Sequence, residues 1–171
     1  DKASTSYGME IFNNSGNTSG ELHLTAASAG AVVINRSGSE TARFNGSGQL
    51  LIGTTTEGHS NADDLTVATA SATGITIRSG TSSNGSLFFS DGTSGGAEYA
   101  GYLQYNHGSN TLEVGTASAA KFYILSTGGV GIGESIYHIG DDNTQIKFPG
   151  NDNISFETNG SERLRISAGT A

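Results

Sequence analysis

The sequence predicts an all-β fold: an elongated fibrous homotrimer of short strands and Gly/Asn/Ser-rich loops, of β-prism or intertwined β-helix type. Three observations carry this. An apolar–any–apolar triplet recurs from one end of the chain to the other, bounded each time by Gly, Asn, Asp, Ser or Thr, which is the period-two signature of short strands. No window carries the i, i+3, i+4, i+7 spacing of an amphipathic helix. Hydrophobic residues are only 34% of 171, while Gly alone contributes 26, so a single copy has little with which to enclose a core.

In chain order the triplets are Met9-Glu10-Ile11, Leu22-His23-Leu24, Val32-Val33-Ile34, Leu50-Leu51-Ile52, Leu65-Thr66-Val67, Ile75-Thr76-Ile77 and Leu87-Phe88-Phe89. They continue as Leu103-Gln104-Tyr105, Leu112-Glu113-Val114, Phe122-Tyr123-Ile124, Val130-Gly131-Ile132, Ile146-Lys147-Phe148, Ile154-Ser155-Phe156 and Leu164-Arg165-Ile166. The last three are separated by turns rich in Gly, Asn and Asp, which reads as a meander of very short strands. The Ala-rich stretch Ala117–Ala120 offers at most one helical turn. The phrase "LLIG" at 50–53 returns as "VGIG" at 130–133, each after a Gly-containing turn. Such a phrase reads as the strand that closes one module and hands the chain to the next, with Ile52 and Ile132 pointing to a shared axis. Three modules are expected, at 1–56, 57–133 (with a Tyr-rich segment) and 134–171.

Each strand supplies about two inward side chains. Two architectures answer that shortage: several chains wrapped on one axis, or a single-chain β-solenoid in which each rung covers the last. A solenoid wants a steady rung, and the triplet spacing here wanders, so the homotrimer is preferred. Such a fibre is expected to hold itself by backbone hydrogen bonds, a thin shared core and an absence of free sheet edges.

Composition excludes several functions. The net charge is −8 with only 8 Lys and Arg, and no basic run exists, so nucleic acid is not an expected partner. No cysteine is present, which removes disulfides and thiolate chemistry. No apolar run approaches the roughly 20 residues of a membrane span, so membrane insertion is not expected. No signal peptide is apparent, and the start at Asp1-Lys2 reads as a piece of something longer or a processed product.

Candidate chemistry is sparse. His23, His59, His107 and His138 include no His-x-His pair, so no metal site is expected. The acidic turns Asp63-Asp64, Asp141-Asp142-Asn143 and Asn151-Asp152-Asn153 lack the spacing of a calcium loop and read as turn residues. Glycines 128, 129 and 131 precede no helix and make no dinucleotide fingerprint, so no cofactor is expected. Asp91, Glu98, Glu113 and Glu134 are scattered acids with no pairing visible, so no catalytic residue is assigned and the chain is read as non-enzymatic. The densest aromatic segment is Glu98–His107. On a strand, Tyr99, Leu103 and Tyr105 would face one way as core. Tyr102, Gln104 and Asn106 would face the other way and, with His107, form the candidate receptor-binding set.

The segment Asp91–Asn106 (DGTSGGAEYAGYLQYN), followed by Asn110–Thr116 (NTLEVGT), resembles a recurrent module of tail-fibre and related virion structural proteins of marine bacteriophages, cyanophages especially. Tyr137–Pro149 (YHIGDDNTQIKFP) is similar to another module of that family, and Glu157–Ile166 contains its Glu-Arg-Leu-Arg-Ile phrase. The likeness covers most of residues 40–171. The central copy departs from it, with Ala119-Ala120-Lys121-Phe122-Tyr123-Ile124 where Glu-Arg would stand. The resemblance implies an elongated trimer located in the virion and a structural role beside other virion proteins, in a family often engaged in host-surface recognition, without implying that this segment itself touches the host; a host-surface glycan or outer-membrane protein is the expected partner of the loops between the triplets. Alternatives with the same composition are a bacterial adhesin stalk, an extracellular filament subunit, or a fibre-borne glycan depolymerase.

Overall fold

The computed structural model describes residues 30–169, together with Leu24 and Ala26. The triplets Met9-Glu10-Ile11 and, apart from Leu24, Leu22-His23-Leu24 lie outside the described residues. The fold is all-β, in three open sheets. The chain divides into two units that meet between Ile75 and Thr76. The first carries sheet A: β1 (Val32–Arg36), β2 (Ser39–Phe44), β3 (Leu50–Ile52) and β4 (Leu65–Val67). The second carries sheet B: β5 (Asn84–Phe89), β6 (Gly101–Asn106), β7 (Thr111–Thr116), β8 (Ala119–Ile124) and β9 (Val130–Ile132), with a 3₁₀ turn at Gly95–Tyr99 between β5 and β6. It also carries sheet C: β10 (Ser135–His138), β11 (Asp141–Lys147), β12 (Asn153–Thr158) and β13 (Ser161–Ser167).

Neighbouring strands pair in chain order throughout; sheets B and C are antiparallel meanders, as is sheet A through β3. The one parallel pairing is β3 with β4, reached by a crossover through residues 53–64. Among the described residues no sheet closes into a barrel or coils into a solenoid. The outer strands of each sheet keep open edges within one chain, so the expected absence of free edges is not a property of the single copy.

Three segments share one design. β1–β2, β7–β8 and β12–β13 are hairpins whose two turn residues both have positive φ: Ser37-Gly38, Ala117-Ser118 and Asn159-Gly160. That is the mark of the type I′ turn, whose twist matches the flanking strands. Each hairpin then bulges at the equivalent point, leaving Thr41, Lys121 and Arg163 out of register. In the first two, a tight turn follows in which Gly48 and Gly128 donate to Asn45 and Leu125, and a short third strand returns along the hairpin. Those third strands are "LLI" and "VGI". The N–H of Gly53 and of Gly133 donates at 2.9 Å to the carbonyl of the bulged residue, Thr41 and Lys121 respectively. The bulge therefore marks where the repeated phrase ends. Glu40 and Glu162 hold Arg43 and Arg165 in the same i, i+3 ion pair, where the central copy has Ala120 and Tyr123.

The sheets are amphipathic by register. In sheet A the cross-strand rows Val32–Phe44–Leu50–Leu65 and Ile34–Ala42–Ile52–Val67 make one apolar face. In sheet B the rows are Leu87–Leu103–Val114–Phe122–Ile132 and Gly85–Tyr105–Leu112–Ile124–Val130. In sheet C they are Ile136–Ile146–Phe156–Leu164 and Ile154–Ile166, with Phe148 alongside. Among the described residues nothing covers these faces fully. Ile52 and Ile132 are each 37% exposed, and Leu87, Val130, Leu164 and Ile166 are more than half exposed. Leu51, on the opposite face of sheet A, is the one fully buried large apolar side chain among the described residues. The crossover loop lies on its side of the sheet, where the Gly58 N–H donates to Oγ1 of Thr66, the register partner of Leu51.

Strand expectations fail in three places. Ile75–Ile77 has the triplet pattern but forms no strand, and Ile75 and Ile77 are exposed. Conversely β10 carries no such triplet, and β2 carries only Ala42-Arg43-Phe44, in which one apolar member is a small alanine. They form because each is one arm of a hairpin whose partner does. The Ala117–Ala120 stretch is a hairpin turn and the start of β8, not a helical turn. Sheet A runs through Val67, sheet B spans Asn84–Ile132 and sheet C spans Ser135–Ser167, against the modules expected at 1–56, 57–133 and 134–171.

Candidate functional site: an aromatic cluster on the polar face of the middle sheet

The face of sheet B opposite the apolar rows carries Ser86, Gln104, Glu113, Tyr123 and Gly131 in one row and Phe88, Tyr102 and Gly115 in the next. Tyr102 lies across Gly115. A Cβ at that glycine would fall 2.1 Å from the Tyr102 ring, so the absence of a side chain is what lets the ring lie against the sheet. Tyr123 lies over Gly131 more loosely: a Cβ there would be 3.5 Å from its side chain, an ordinary contact. The repeated strands differ at two positions, Leu50/Val130 and Leu51/Gly131: Leu51 fills its own place under a loop, whereas Gly131 lies beneath the Tyr123 ring.

Phe88 stands edge-on to Tyr102 with centroids 6.4 Å apart, and Tyr99 tilts against Phe88 at 6.1 Å. Tyr99 is not on β6. It ends the 3₁₀ turn and joins Tyr102, so the expected grouping of Tyr99 with Leu103 and Tyr105 is corrected. The reason is that the strand starts only at Gly101, so period-two counting does not reach residue 99. Three hydrogen bonds fix the turn: Ser90 Oγ and Asp91 N–H both donate to the Ala97 carbonyl at 3.0 Å, and Ser118 Oγ donates to the Gly96 carbonyl at 2.7 Å.

Phe88, Tyr99, Tyr102 and Gln104 line a hollow of about 270 Å³. Ser86 Oγ donates to Gln104 Oε1 at 3.1 Å, which orients the amide with its NH₂ free. Burial, and next the neighbouring Glu113 carboxylate, raise the Tyr102 phenol above its ordinary value, so it stays a neutral hydroxyl at physiological pH.

Of the residues singled out from sequence, Tyr102 and Gln104 come together here. Asn106 shares their face but serves a turn: its Oδ1 accepts the N–H of Gly108 and of Ser109. His107 packs edge-on against Tyr105 at 4.9 Å, beside a residue of the apolar face. Leu103 and Tyr105, expected as core, lie on that apolar face and are 43% and 37% exposed. Phe88 is the residue that sequence reasoning missed. Its triplet Leu87-Phe88-Phe89 reads as core, yet alternation alone sets Phe88 opposite its two neighbours. Among the described residues no group of three or more His, Asp or Glu is arranged to hold a metal ion.

No protein-family model matches the chain, and no curated protein matches it in sequence.

Proposed function

We propose that the chain is a non-enzymatic structural segment of a fibre, assembled as a homotrimer, of the phage tail or virion kind, which supports or carries out attachment to a host surface. The observation that carries this reading is the uncovered apolar face on each of the three sheets. An amphipathic sheet is stable in water only when a second layer covers its apolar side. Among the described residues that layer is missing from all three. Three copies bringing like faces to a common axis supply it, because a closed symmetric arrangement satisfies every copy at once and leaves no apolar face over. The polar faces, with Arg43, Gln104, Glu113, Lys147 and Arg165, then point to solvent.

The function is mechanical. Strands paired in chain order, several through tight turns, give backbone hydrogen bonds across each sheet, and the shared apolar seam ties the copies laterally. The likeness of Asp91–Thr116 and Tyr137–Ile166 to marine phage fibre modules supports the virion setting. The test is the native mass of the chain in solution. Three times the 17.4 kDa chain mass is expected; a compact monomer that melts cooperatively refutes the reading.

A further inference from the structure

We propose that the aromatic hollow of sheet B is a binding site for a neutral saccharide. The proposal rests on the fibre reading for one point, that the polar face of sheet B is the outward one. The remaining support is local.

The first support is the placement of the rings. Phe88 and Tyr99 remain 51% and 39% exposed on a face that otherwise carries Ser86, Gln104, Glu113 and Asn106. Together with Tyr102 these two rings frame an opening on that polar face, away from the apolar rows. The second support is pre-organisation. Tyr102 is seated on Gly115, and Tyr99 is held by a turn pinned from both β5 and the β7–β8 turn. Little ordering remains to be lost when a ligand arrives.

The ligand class follows from the lining. An aromatic face takes the flat C–H side of a pyranose, while hydroxyls at its rim need donors and acceptors. The free NH₂ of Gln104 and the neutral Tyr102 hydroxyl provide both. No cationic side chain lines the hollow, and the Glu113 carboxylate sits directly across from Gln104, so an anionic ligand is disfavoured. At about 270 Å³ the hollow is below the roughly 300–1,000 Å³ of drug-sized pockets, which suits one or two sugar rings of a longer glycan.

The test is saturation-transfer NMR on the full chain with methyl α-glucoside, methyl α-mannoside, methyl β-galactoside and N-acetylglucosamine, and phenol as an aromatic comparator. At least one sugar should give a saturable signal, strongest on the C–H protons of one ring face. Affinity should fall at least tenfold in Tyr99→Ser, which alters the turn and no strand, and in Gln104→Leu, with thermal melts showing both variants folded. Absence of saturable binding by every sugar, binding of phenol alone, or sugar binding unchanged in both variants overturns the proposal. Native mass on the same sample separates the two readings: a trimer without sugar binding overturns the site alone, and a sugar-binding monomer overturns the fibre alone.

Discussion

Val114 is the sharpest place to test the shared core. It lies on β7, the central strand of sheet B, in the middle of the row Leu87–Leu103–Val114–Phe122–Ile132. In the single chain it is 39% exposed. Consider Val114→Asp. If the chain were a monomer, a carboxylate at a half-open sheet position would cost within about 1 kcal/mol, the span of β-propensity measured in a host protein. If three copies close on this face, the variant loses the burial of the remaining valine surface, about 0.6–1 kcal/mol from the ~1.5–3 kcal/mol of full burial. It also places an unpaired charge in the seam, at several kcal/mol per copy. Every copy carries the change, so the assembly loses roughly 10 kcal/mol or more, enough to dissociate it at micromolar concentration. The assay is native mass with sedimentation velocity, and circular dichroism to follow strand content. Glu113→Gln is the control, one residue away on the opposite face, and should leave the mass unchanged. A Val114→Asp protein that assembles and melts like the parent refutes the reasoning, because the apolar face would then be facing water.

Gly53→Ala and Gly133→Ala change equivalent glycines of the repeated phrase but should differ sharply in thermal melts. At Gly53, φ is +72° and a Cβ would stand 2.3 Å from the Ala68 carbonyl oxygen, so a loss of about 2 kcal/mol or more is expected; at Gly133 the nearest atom is 3.5 Å away and the change should stay within about 0.5 kcal/mol. Ala117→Asn should raise the melting temperature by the equivalent of about 0.5–1 kcal/mol, because Ala117 sits at φ 51° in a turn where Asn is favoured. The Arg165 guanidinium, chiefly through its hydrogen bond, holds the Glu162 carboxyl below the ordinary value of 4.5. The pair's contribution to stability is therefore complete above that ordinary value and is lost as pH falls through the lowered one. An NMR titration of Glu162 should show the lowered midpoint in the parent and its return towards the ordinary value in Arg165→Ala.

Most strands were legible from the triplets because the signal that places them is local: two β-formers on one face with turn residues on both sides. β2 escaped because Ser39-Glu40-Thr41-Ala42-Arg43-Phe44 carries its apolar residues only at Ala42 and Phe44, and it is the neighbours β1 and β3 that make it a strand. Ile75–Ile77 shows the converse, a good local pattern with no partner strand. The aromatic hollow was half legible. Tyr102 and Gln104 follow from alternation along β6, but Phe88 enters only through its register with Tyr102, and Gly115 becomes a seat for that ring only through its register on β7. Register between strands is a long-range property, and a single strand's composition does not contain it. Tyr99 was misplaced for a similar reason: the start of β6 is set by where Phe89 pairs with Gly101, not by the run of tyrosines.

What differs among the three sheets sharpens the case for a shared axis over a solenoid. Their apolar faces are built alike, down to Ile52 and Ile132 at equal exposure on the equivalent strands. Their opposite faces are built in three unrelated ways. Sheet A lays a crossover loop over Leu51 and Thr66. Sheet B seats the Tyr102 ring on Gly115 and lays Tyr123 across from Gly131. Sheet C sets Lys147, Ser155 and Arg165 in one row beside Gln145, Glu157 and Glu162 in the next. In a solenoid each rung covers its neighbour, so the residues that must match are those along the stacking direction. In a prism of several copies each sheet meets only its own symmetry mates, so its inner face is held to one shape while its outer face is free to differ. One face uniform and the other free is the pattern of this chain, and under the proposed trimer any specific recognition would fall on the polar side, where the Tyr102 hollow lies.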